Sequence, residues 1–195
     1  MAGVLHMFIF FGFVILSVRS SELVIAGISS GFHMPGLGGV LGDIYYFFKD
    51  YAATAVFFAV VIAGIRRGIF RPERYHYPKS YGHDHTNEAV FVCAIIGMLM
   101  LSESLYEAAL VAAEVQAGHE ATFLAPMTLA WLFKNMFANS SSATLQTLHI
   151  VSYYVHDVTF FFFLCFFGRR NFFFLSCFSF ILFRLLLGFL QEKMI

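Results

Sequence analysis

Charge is what this chain has least of. Only 12% of its 195 residues are Asp, Glu, Lys or Arg, twelve basic against twelve acidic, and the formal net charge is zero. Without a basic excess there is no electrostatic footprint for nucleic acid, and no nucleic-acid partner is expected. Cysteine is scarce as well. Cys93, Cys165 and Cys177 stand singly in apolar surroundings. With no CxxC and no CxxxCP there is no iron–sulfur motif, no covalent c-type haem motif and no disulfide framework. Such cysteines read as small packing residues. The N-terminal apolar run lacks the basic n-region and the small-residue cleavage site of a secretory signal. It also contains Arg19 and Glu22, which a signal core would not.

Apolar residues fill the rest. The chain is 59% hydrophobic with a mean hydropathy of +0.76, a composition that does not stay dispersed in water. Strong apolar runs cover residues 3–29, 44–65, 88–115, 144–168 and 171–190. All exceed strand length and none alternates, so they read as membrane-spanning helices. A weaker amphipathic stretch, 121–138, holds Pro126 and Lys134 and reads as a short interfacial helix or a poor span. The expected fold is an all-α transmembrane bundle of four to five helices. The only long hydrophilic connection is RGIFRPERYHYPKSYGHDHTNE, and Arg66, Arg67, Arg71, Arg74 and Lys79 cluster there or at its edge. Arg169 and Arg170 follow a later span, whereas 30–43 and 116–146 carry almost no basic charge. The positive-inside rule places the Arg-rich loop in the cytoplasm.

Ionisable groups inside the spans are costly in hydrocarbon and carry a functional expectation by default. Glu103 and Glu107 stand at i,i+4 on one face of the third span, with Glu114 further on, and Arg19 and Glu22 share a face of the first. A proton site, a quinone site or a cofactor counter-ion is one reading. A structural pairing of Arg19 with Glu22 or with one of the other glutamates is the plainer one. Histidines sort by position. His76, His83 and His85, with Asp84, lie in the hydrophilic loop at a spacing that fits no defined metal site, and a solvated loop is the simpler account. His119 reads as exposed. His33 lies in the glycine-rich SGFHMPGLGG connection. His6, His149 and His156 fall within spans, where an unpaired imidazole is unfavourable. His149 and His156 are seven residues apart, nearly two turns, so they leave one face of the helix about 10 Å apart along its axis. That separation suits one ligand and a neighbour, or two separate groups, rather than one ion held by both. A neutral imidazole is a usual axial ligand of haem. Tyr153 shares that face and either hydrogen-bonds a cofactor or packs.

The segments HMFIFFGFVILSVRS, PGLGGVLGDIYYFFKDYAATAV and TLHIVSYYVHDVTFFFFLCF resemble the membrane part of heterodisulfide-reductase-related iron–sulfur oxidoreductases. That part is similar to the gamma subunit of respiratory nitrate reductase. The resemblance covers roughly residues 1–168 and is most specific in TLHxxxYxxH. It implies a nitrate reductase gamma-like b-type cytochrome domain over 1–168. Such a domain transfers electrons between quinone or quinol and a soluble iron–sulfur partner. It sits in the cytoplasmic membrane of a prokaryote and is not catalytic alone. One or two haem b groups are implied. His6 and His156 are the implied iron ligands, and His33 and His149 are further cofactor-binding candidates. Three features depart from the pattern. The family has one more helix before the one carrying His6. Its second histidine on the last helix would fall at Phe174. Its Lys-His-aromatic-His ending and cysteine-rich domain are replaced by the Phe-rich tail 169–195, which reads as a fragment or a frame change near Gly168 and is expected to pack poorly. Two other classes stay open: a proton- or ion-translocating subunit, and a non-catalytic membrane anchor.

Overall fold

The computed structural model describes residues 2–28, 39–70, 86–119 and 122–167. Among them every regular element is helical: α1 (Ala2–Ile28), α2 (Val40–Ile65), α3 (Thr86–Gln116), α4 (Leu129–Met136) and α5 (Ser142–Phe167). α1, α2, α3 and α5 are long and apolar enough to cross a membrane, the build of a multi-pass membrane protein. The expected run at 171–190, the tail 169–195 and the loop histidines His76, His83 and His85 lie outside the described residues.

Local signals fix the helix ends. α2 starts four residues before the apolar run read from the sequence. Gly39 takes φ 68°, a conformation that favours glycine. The Asp43 amide bonds the Gly39 carbonyl at 3.1 Å, and the Asp43 carboxylate sits in the first turn, where the helix dipole favours it. At its other end α2 continues into a π-helical turn, Arg66–Phe70. α3 closes on Gly118 at φ 72°. The His119 amide reaches the Glu114 carbonyl at 3.1 Å and the Gly118 amide the Val115 carbonyl at 3.2 Å, the paired bonds of a Schellman cap. Ser141 caps α5 by accepting the Thr144 amide at 3.2 Å. α4 is eight residues long, about 12 Å. It is too short to cross, so of the two readings of 121–138 the span is excluded.

α3 is the central helix. It packs against α5, α2 and α4, while α1 lies on α2 and also touches α5. Polarity is inverted relative to a water-soluble domain. Lys49, Glu103, His156 and Asp157 are buried, while Phe8, Phe11, Phe48, Phe58 and Ile62 face outward. That pattern follows from a hydrocarbon surround, where apolar side chains need no shelter and polar ones do. The apolar core is Leu16, Val56, Val60, Leu99, Met100 and Phe163 with their neighbours.

Close helix approach depends on small residues, because lipid supplies no hydrophobic drive between helices. At the α1–α2 crossing, a Cβ built on Gly12 would overlap the Val56 side chain. Gly97 of α3 meets Val60 at an ordinary 3.6 Å. Gly12→Val is therefore expected to force α1 off α2 and cost about 1–3 kcal/mol, read as a lower melting temperature in detergent. Gly97→Ala is expected to melt like the parent protein. Equal melting of Gly12→Val and the parent would contradict this crossing.

Candidate functional site

Three layers stack along the bundle axis. The first is a cavity of about 510 Å³ between α1, α3 and α5, with walls including Ile9, Phe10, Ile96, Phe160 and Phe163. Val56, Leu99, Met100, Ser17 and Ser20 also border it. Apart from the two serines its walls are apolar.

The second layer is His156. Its ring has no exposed surface. Nδ1 lies 3.3 Å from the Leu99 carbonyl on α3 and Nε2 lies 3.3 Å from the Ser20 hydroxyl on α1. A carbonyl only accepts, so Nδ1 carries the proton and Nε2 presents its lone pair to the Ser20 O–H. The Nδ1–H···O=C bond fixes ring and tautomer in the way that carbonyls fix metal-binding imidazoles. Phe160, one turn on and part of the cavity wall, lies parallel to the ring with centroids 6.4 Å apart. His149 is placed differently. Its ring stacks on Tyr106 at 4.2 Å, Nδ1 faces the Tyr106 carbonyl at 3.3 Å, and it does not border the cavity. Tyr153 donates to the Leu23 carbonyl at 3.4 Å, tying α5 to α1. His119 is exposed as expected. His6 belongs to α1, but its side chain lies outside the described residues, and so does all of His33.

The third layer is a buried charge cluster. Lys49, 2% exposed, forms ion pairs with Glu107 and with Asp50, the latter at 3.1 Å. Arg19 holds Glu22 at 2.8 Å and Glu107 at 3.3 Å. The Tyr46 hydroxyl donates to Glu22 at 3.0 Å. The Tyr46 ring lies 5.7 Å from both the Arg19 guanidinium and the Lys49 ammonium, within cation–π range. Glu103 completes the group at 1% exposure. The structural pairing anticipated for Arg19 and Glu22 is present, and Arg19 reaches the α3 glutamates as well.

Beyond the cluster, residues 122–128 fold against α2 and are held by side chains. The Ala125 amide donates to Asp50 at 3.0 Å, the Leu129 amide to Thr54 at 3.1 Å and the Thr122 amide to Glu114 at 2.9 Å, while Tyr51 donates to the Pro126 carbonyl at 3.1 Å. Irregular backbone buried against the helices is tolerated because protein groups satisfy it. Glu114 is thus an anchor for this segment.

Lys49, Asp50 and Asp157 are members that reading the sequence for function missed. The signal was present: Lys49-Asp50 and His156-Asp157 are charged dipeptides inside apolar runs, and such residues face the bundle interior. Asp157 is 1% exposed, and neither carboxylate oxygen has a hydrogen bond. Tyr153, one turn earlier, faces it.

The fit to a b-type haem is specific to one residue. His156 would offer Nε2 as a ligand, but it does not line the cavity itself: Ser20, which does, stands before that nitrogen. Ser17 and Ser21 already bond carbonyls of their own helix, at 2.8 Å each. The same rotation of Ser20 would free Nε2. Among the described residues no cluster of three or more His, Cys, Asp or Glu has the arrangement of a metal site. A haem needs only two imidazoles, and the second candidates, His6 and His33, lie outside the described side chains. No family model, no curated protein and no solved structure matches the chain.

Proposed function

We propose that this protein is the membrane b-type cytochrome subunit of a quinone-linked oxidoreductase. It passes electrons between the quinone pool and a soluble iron–sulfur partner and is integral to the cytoplasmic membrane of a prokaryote. The Arg66 end of the bundle faces the cytoplasm in this reading. The observation that carries it is His156: fully buried, in the tautomer with Nδ1–H bonded to Leu99, its Nε2 lone pair directed at the serine that borders the cavity. His156 would hold the iron together with His6 or His33. A bound haem supplies reversible one-electron chemistry. The chain supplies the imidazole, its orientation through the Leu99 carbonyl, and walls that exclude water and so help to set the potential.

The test is a reduced-minus-oxidised spectrum and haem content of the purified full chain. His156→Ala is expected to lose the α-band and bound porphyrin, and comparison with His6→Ala and His33→Ala identifies the second ligand. His149→Ala is expected to keep the spectrum, since its ring stacks on Tyr106 and its Nδ1 faces the Tyr106 carbonyl. An unchanged spectrum in His156→Ala at normal protein level overturns the assignment. A parent protein without any Soret band overturns the cytochrome reading altogether. The ion-translocating alternative, which the buried charge cluster favours, would then take its place.

A further inference from the structure

The cluster holds two cations, Arg19 and Lys49, against four carboxyl groups, Glu22, Asp50, Glu103 and Glu107. With all ionised, two negative charges would stand uncompensated in the bundle interior, a strongly unfavourable state in a low-dielectric surround. Three of the four are well supplied with donors. Glu22 accepts from Arg19 and the Tyr46 hydroxyl. Asp50 pairs with Lys49 and accepts the Ala125 amide. Glu107 accepts from Lys49 and Arg19. Glu103 has none: both of its oxygens are buried without a hydrogen bond. Lys49 at 3.8 Å and Arg19 at 3.9 Å approach Oε1 only, beyond hydrogen-bond reach. From α5, the groups on this side are His156, which carries its proton on Nδ1 and gives it to Leu99, and the acidic Asp157. Neither adds a positive charge.

We propose that Glu103 is a proton-binding site in the membrane interior, loaded on Oε2 and reached through Glu107. A proton needs one lone pair and no shell. A hard metal cation needs several oxygen ligands, and at Oε1 it would stand against both Lys49 and Arg19. Glu107, one turn away on the same helix face and 9% exposed, is the neighbouring carboxylate on the path toward the end of the bundle that carries Gly118. In the transfer, an O–H bond forms at Glu103 as one breaks at Glu107 or at a water beside it, and Glu107 is reloaded from bulk water. The assignment holds whether or not the chain carries a haem, because none of these groups borders the cavity.

Infrared difference spectroscopy tests it, on the full chain in phosphatidylcholine vesicles with bulk pH stepped and choline as the only added cation. A protonated-carboxyl C=O band that shifts in D₂O and changes with the pH step is expected. Glu103→Gln is expected to lose it and Glu103→Asp to displace it, while Asp157→Asn keeps it. Glu103→Asp covers the case in which the glutamine variant does not fold. A band unchanged in Glu103→Gln, or in Glu103→Asp where the glutamine variant is not folded, overturns the proposal, as does a band lost in Asp157→Asn. Its complete absence from the parent protein does the same. Loss of the band at fixed pH when sodium replaces choline would identify a metal cation as the occupant and also overturn it.

Discussion

Lys49→Met is expected to be the most damaging single substitution in this bundle. Lys49 is fully enclosed and pairs with Glu107 and Asp50 at once. Methionine matches its length but leaves the four carboxyl groups of the cluster with Arg19 as their one cation. Removing one partner of a buried ion pair costs about 3–5 kcal/mol, because the survivor keeps its desolvation penalty and loses its compensation. Lys49→Met should therefore melt far below the parent in detergent. The cause is an orphaned charge rather than lost packing, so Lys49→Met combined with Glu107→Gln should recover part of the loss. A double-mutant cycle with no coupling between the two positions would contradict the pairing seen here.

Asp50→Leu comes next. Asp50 accepts the Ala125 amide and pairs with Lys49. Ala125 has no exposed surface, so its amide finds no water in place of the carboxylate. A buried donor left without an acceptor costs about 1–3 kcal/mol. The segment 122–128 should come away from α2, and proteases added on that side should cleave within it. Asp50→Asn keeps a carbonyl acceptor and should protect the segment substantially better than Asp50→Leu. Equal cleavage of the two variants would mean that Asp50 holds the segment by charge and not by this bond.

Much of the architecture was legible in the sequence. Hydrocarbon leaves a spanning chain little choice but a helix that satisfies its own backbone. The runs at 3–29, 44–65, 88–115 and 144–168 therefore became α1, α2, α3 and α5, with ends moved by a few residues. Those ends were set by Gly39, Gly118 and Ser141, whose effect is local. Glu103 and Glu107 share a face because four residues make about one turn. That polar spans bury their charges followed from cost alone.

What the sequence determined by itself was length, face and number: which stretches cross, and which side of each is polar. Only the tertiary structure decided who meets whom. Lys49 and Glu107 are 58 residues apart and His156 and Ser20 are 136 apart, and no periodicity within one helix specifies a contact made by the crossing of two. The same crossings separate His149 from His156. Equal in residue type and on one helical face, they end against Tyr106 and against Ser20 respectively. They also settled the division of two cations among four carboxyls. A hydrogen-bonded salt bridge forms only where helix register brings nitrogen and oxygen close enough, and at Glu103 the two cations stop at 3.8 and 3.9 Å.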